Sequence, residues 1–121
     1  MLAKDIAEIV NAKPVAIWNH HLLSKDYTAA FASDLMSDAL AMIQDYPEST
    51  VLITGLCNAQ VLRTCEMLDI EMILFVRGKK LNDESLEIAK EMGFNIFCTD
   101  LTMYETCGIL YQKGLKGISC H

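Results

Sequence analysis

Two hydrophobic periods alternate along this chain. Leu2, Ile6, Ile9 and Val10 recur at helical spacing and predict a helix over 2–11. Val15-Ala16-Ile17-Trp18 reads as a short strand after Pro14, and residues 27–32 read as a second extended segment. Asp34 stands where a cap belongs for a helix over Leu35–Gln44, with Leu35, Met36, Ala39, Leu40 and Ile43 inward. After Pro47 the alternation becomes regular. Val51-Leu52-Ile53 is a continuous apolar run, as expected for a strand covered on both faces. Asn58 opens a helix through Leu68, with Val61, Leu62, Cys65 and Leu68 on one stripe. Met72-Ile73-Leu74-Phe75-Val76 is the next buried strand, and Asn82 caps the helix that Gly93 ends. Leu81 and Leu86 are placed to form a hydrophobic staple across that cap, and Asp83 and Glu84 suit the positive end of the helix. Asn95-Ile96-Phe97-Cys98 is a further strand. Thr102-x-x-Glu105 is a capping box for a last helix that runs to Lys113 and stops at Gly114.

Residues 51–113 thus read β-α-β-α-β-α. Strands joined through single helices run parallel, and the helices cover the sheet. The expected fold class is α/β: a layered, mostly parallel sheet with flanking helices. The first fifty residues add strands and helices to the same sheet in an order the pattern leaves open. The length of 121 residues fits one domain spanning 1–121.

Composition changes this picture in a few places. Hydrophobic residues make up 52% of the chain, enough for a core that needs no metal or disulfide staple. No apolar run approaches the ~20 residues of a membrane span. Lys4, Asp5 and Glu8 interrupt the amino-terminal segment, unlike a signal peptide, so a cytoplasmic location is expected. A net charge of −6 argues against nucleic acid as partner. Five cysteines, none in a C-x-x-C pair, suit a reduced compartment in which most act as small buried hydrophobes; Cys65 and Cys107 lie on apolar helix faces.

Candidate chemistry gathers at the carboxyl ends of the strands, where open parallel sheets bind ligands. Three loops meet there: Thr54-Gly55-Leu56-Cys57-Asn58, Arg77-Gly78-Lys79-Lys80-Leu81-Asn82, and Thr99-Asp100-Leu101-Thr102. Each leads into a helix N-terminus, where free N–H groups attract anions. Gly55 and Gly78 permit close backbone approach, and Arg77, Lys79 and Lys80 add positive charge. The candidate ligand-binding residues are Thr54, Gly55, Asn58, Arg77, Gly78, Lys79, Lys80, Thr99 and Asp100, facing a small phosphate-bearing anion. The same residue types also serve simply to turn loops and cap helices. No catalytic residue, cofactor or metal site is expected. Phosphate-binding P-loop, dinucleotide and nucleophile-elbow motifs are absent, and His20-His21 has the wrong spacing for a metal pair. Cys120-His121 offers at most an adventitious metal contact. Cys57 and Cys98 each lie at a strand end near a helix N-terminus, the setting that favours a thiolate. Asp34 and Asp38, four apart, can form a carboxylate pair or a cap plus a surface charge.

An ordered series of segments carries a resemblance. Ala32-Ser33-Asp34-Leu35-Met36-Ser37-Asp38 is followed by Val51-Leu52-Ile53-Thr54-Gly55-Leu56. Gln60-Val61-Leu62-Arg63-Thr64 and Glu66-Met67-Leu68-Asp69-Ile70 come next. Phe75-Val76-Arg77-Gly78-Lys79-Lys80 and Met103-Tyr104-Glu105-Thr106-Cys107-Gly108 complete the series, with Leu110-Tyr111. Over residues 14–118 the chain resembles the stand-alone DRTGG-domain proteins of anaerobic bacteria. The literal D-R-T-G-G string is absent; Arg63-Thr64 and Arg77-Gly78 stand in comparable regions. The resemblance implies a fold similar to the N-terminal domain of HPr kinase/phosphorylase, without its kinase domain. It also implies a regulatory module that forms homodimers, contacts adenine nucleotides and accompanies iron hydrogenases. Residues and resemblance together leave three functions: a regulatory domain that binds a small ligand, an interaction module serving as an accessory hydrogenase subunit, and, from the placement of Cys57 and Cys98 alone, an enzyme with a reactive cysteine. The first is the leading expectation.

Overall fold

The computed structural model describes residues 1–43 and 49–118. In chain order the elements are α1 (Ala3–Ile9), β1 (Lys13–Ile17), a 3-10 turn (His20–Ser24), β2 (Ala29–Ala32), α2 (Met36–Met42), β3 (Thr50–Thr54), α3 (Ala59–Leu68), β4 (Met72–Phe75), α4 (Asp83–Met92), β5 (Asn95–Cys98), α5 (Met103–Gln112) and β6 (Lys116–Gly117). They build one six-stranded sheet in the order β1-β5-β4-β3-β2-β6. All neighbouring pairs are parallel except β1 and β5.

The apolar runs divide between the two faces with the period of a strand. Leu52, Ile73, Phe75 and Ile96 join a core with Val61, Leu62 and Cys65 of α3, Met36 and Ala39 of α2, and Ala89 of α4. Val51, Ile53, Met72, Leu74 and Phe97 join a second core with Ile6 and Val10 near α1 and Leu110 of α5. Every residue of β3, β4 and β5 is buried. That explains why these strands read as unbroken apolar runs. Leu81 is buried in the first core and Leu86 packs against it, consistent with the staple.

Three expected caps form. Asn58 Oδ1 accepts from Gln60 N and Val61 N at 3.0 and 3.3 Å. Asn82 Oδ1 accepts from Ser85 N at 2.8 Å, and Thr102 Oγ1 from Glu105 N at 3.3 Å. Gly93 closes α4 at φ 76°.

The first third departs more from expectation. The strand expected from Val15 starts at Lys13, because Lys13 and Pro14 pair antiparallel with Cys98 and Phe97. Pro14 is tolerated because β1 is an edge strand and its register shifts between Pro14 and Ala16. Strand β2 covers only the end of the expected 27–32 segment. Asp34 does not cap α2. The residue preceding that helix is Leu35, which has no side-chain cap bond, and Leu35 N donates to Ser33 Oγ at 3.0 Å. Gln44, Pro47 and Cys120-His121 lie outside the described residues.

Candidate functional site

The carboxyl ends of β2 to β5 and the start of β1 share one edge. There the loop after β4 makes a tight reversal: Arg77 and Gly78 both take positive φ, 59° and 65°, and Lys79 N donates to Val76 O at 3.2 Å. Two successive positive φ values define a mirror-image turn, which Gly at the second position relieves. Arg77 N donates to Leu101 O at 2.8 Å and Gly78 N to Thr99 O at 2.9 Å, fastening this loop to the one after β5. On its other side Arg77 lies over Gly55, where an added Cβ would stand 2.4 Å from Nη2. Asp34 closes the cluster. Its Oδ1 accepts from Gly55 N at 2.6 Å and from Thr54 Oγ1 at 3.2 Å, and its Oδ2 lies 3.8 Å from Arg77 Nη2.

Of the residues singled out from sequence, Thr54, Gly55 and Arg77 come together here. Gly78 and Asp100 are neighbours, with Asp100 Oδ1 3.1 Å from where a Cβ on Gly78 would sit. Asn58 is committed to capping α3. Thr99 is buried, donates to Val10 O at 2.7 Å and accepts from Leu101 N. The expectation of free N–H groups at these loops needs correction. Asp34, Thr54, Asn58, Asn82 and Thr102 accept from Gly55, Leu56, Gln60, Ser85 and Glu105, so the chain's own oxygens already take those donors.

A cavity of about 430 Å³ opens beside this cluster, lined by Asn11, Lys13, Pro14, Val15, Lys80, Cys98 and Asp100. It lies in the size range of small-molecule pockets. Asp100 belongs to both, so the cavity and the Arg77 cluster are contiguous. Among the described residues neither Lys13 nor Lys80 forms a salt bridge. Lys13 escaped the sequence reading because its position depends on pairing with Cys98, far along the chain. The only local signal was its place just before Pro14.

The thiols do not bear out the nucleophile expectation. Cys98 is buried, and its Sγ donates to Lys79 O at 3.2 Å, a bond that only the protonated form can make. Burial first, then the Asp100 carboxylate, raises its pKa; Lys80 opposes them. Burial pushes the Cys57 thiol up to about 11, with Cys98 adding to the shift and Lys79 opposing it. Apolar surroundings outweigh the nearby helix ends. Among the described residues no group of three or more His, Cys, Asp or Glu side chains is placed to hold a metal ion. No described helix is long and apolar enough to cross a membrane.

No family model matches the sequence, and no curated protein matches it. Among solved structures, the chain is similar to the CBS and DRTGG domains of the regulatory region of Clostridium perfringens pyrophosphatase, crystallised with its activator diadenosine tetraphosphate. The TM-score is 0.68 at 17% identity, over 95% of this chain and 50% of that one. The fold, a mostly parallel sheet flanked by helices, is consistent with a DRTGG-type domain. This chain spans half the length of the solved chain it matches, and at this identity the likeness concerns architecture alone.

Proposed function

We propose that this chain is a non-catalytic regulatory domain that binds a small phosphate-bearing ligand, with an adenine nucleotide as the first candidate, in the cavity lined by Lys13 and Lys80. The observation that carries the reading is a cavity of about 430 Å³ at the ligand-binding edge of a parallel sheet, lined by two lysines that form no salt bridge among the described residues. Arg77, exposed beside the cavity, supplies a fork suited to phosphate. Asp100 gives the site an acceptor for hydroxyl or amino groups. The Clostridium perfringens regulatory region binds a dinucleotide activator, which supports nucleotides as the class to screen first. A cytoplasmic, single-domain, homodimeric protein serving anaerobic hydrogenase metabolism is the setting in which we place this activity.

Thermal unfolding with ATP, ADP, AMP and inorganic phosphate tests the reading. At 100 times Kd the native state gains about 2.7 kcal/mol, a rise in Tm on the order of 10 °C. Lys80→Ala should weaken the binding about tenfold, the loss of one charge-assisted contact, without lowering the Tm of the free protein. No shift with any of these compounds at millimolar concentration sinks the reading.

A second reading rests on α5. Tyr104 and Tyr111 are 89% and 74% exposed, seven residues apart with exposed Gly108 between them. Exposed aromatics on one helix favour an interaction module, such as an accessory subunit of a hydrogenase that takes no small ligand. Co-purification lost in Tyr104→Ala would support it.

A further inference from the structure

Asp34 neither caps a helix nor lines the cavity, yet its carboxylate collects donors from two other loops. A backbone N–H (Gly55), a hydroxyl (Thr54) and a guanidinium (Arg77) converge on it. These three kinds of donor are also what proteins present to a phosphoryl oxygen. Arg77 can lie so close because residue 55 has no side chain. We propose that Asp34 is a resident stand-in anion, and that a phosphoryl group of the bound ligand displaces it from Gly55, Thr54 and Arg77. This inference rests on the ligand reading above and concerns how the same edge is regulated.

Two anions cannot share these donors, because like charges at contact distance repel. The apparent affinity of the native protein is therefore lowered by the fraction of molecules in which Asp34 holds the position. Release is feasible: Asp34 and Arg77 are 53% and 49% exposed, so the freed carboxylate is solvated by water. Asp34 lies two residues before α2. Its release frees the β2–α2 corner from the loops after β3 and β4, leaving the bond from Ser33 N to Ile53 O as its hold on the sheet. Ligand occupancy thereby becomes a change at α2, which a regulatory domain can pass on.

Asp34→Asn removes the charge while keeping the shape and an oxygen that can still accept from Gly55. Calorimetric titration with ATP and with inorganic phosphate should show affinity about tenfold higher in the variant, within the usual range of site coupling. In the unmutated protein, the amide resonance of Gly55 should move as ATP is added, since its acceptor changes. Equal or weaker affinity in Asp34→Asn overturns the proposal while leaving ligand binding intact. A stationary Gly55 resonance during saturation with ATP overturns it without recourse to any variant. Failure of both proteins to bind either compound removes the ligand reading and this proposal together.

Discussion

Tyr27 is fully buried, and its hydroxyl finds no partner among the described residues. Burial, then the nearby Glu71 carboxylate, drives its pKa far above the ordinary tyrosine value, so it stays neutral. The ring is the useful part: it packs in the second core, with Lys25 Nζ 5.3 Å from its centroid. Tyr27→Phe keeps the ring and removes the unmet hydroxyl. It should therefore raise stability by about 1 kcal/mol, read from the urea midpoint. A comparable loss would mean that the hydroxyl is satisfied after all. Such a residue is legible in sequence only as an apolar position. Asp34 shows the opposite failure. Ser33-Asp34 ahead of an amphipathic stretch has the look of a cap, yet the acceptor faces Gly55, whose position depends on the sheet rather than on local sequence.

At the level of elements, the α3 and α4 termini were legible because capping is a short-range interaction. Asn58 and Asn82 each bond an amide within three residues. This separates two roles that composition leaves merged. Asn58→Ala should destabilise the protein by about 1 kcal/mol, the usual worth of a helix cap. Its affinity for ATP should stay unchanged, and a weakened affinity in an otherwise folded variant would return Asn58 to the ligand site. The strands β3 to β5 were legible because both of their faces are buried. The start of strand β1, at Lys13 and Pro14, and the two-residue β6 were not. Their existence depends on partners, Cys98 for Lys13 and Ala29 for Lys116, that only the folded chain brings near. The same dependence hid the cavity, since one of its two lysines arrives on β1.

Over the whole molecule, the two edges of the sheet differ in which charged groups surround their cavities. Lys13, Arg77, Lys79 and Lys80 gather at the carboxyl edge. The opposite edge holds a cavity of about 450 Å³ that includes Glu66, Asp69, Glu71 and Glu91 among its lining residues. Asp34 and Asp100 stand beside these cations, so the attraction for an anion in a chain of net charge −6 is local to the lysines. Binding of ATP should weaken several-fold as ionic strength rises from ~0.01 to ~0.1 M, over which the screening length falls from ~30 to ~10 Å. An affinity independent of salt would mean that these lysines do not face the ligand.

Because β1 is the outermost strand and hydrogen-bonds only to β5, it is fastened along one side. Lys13 on β1 and Lys80 on the loop after β4 both line the cavity. In mechanical terms, the strand is a flap sewn down along one seam, with the cavity lying at the end of that seam. A ligand gripping both lysines would act as a rivet there, and tearing the flap from the sheet would require breaking the rivet as well as the seam.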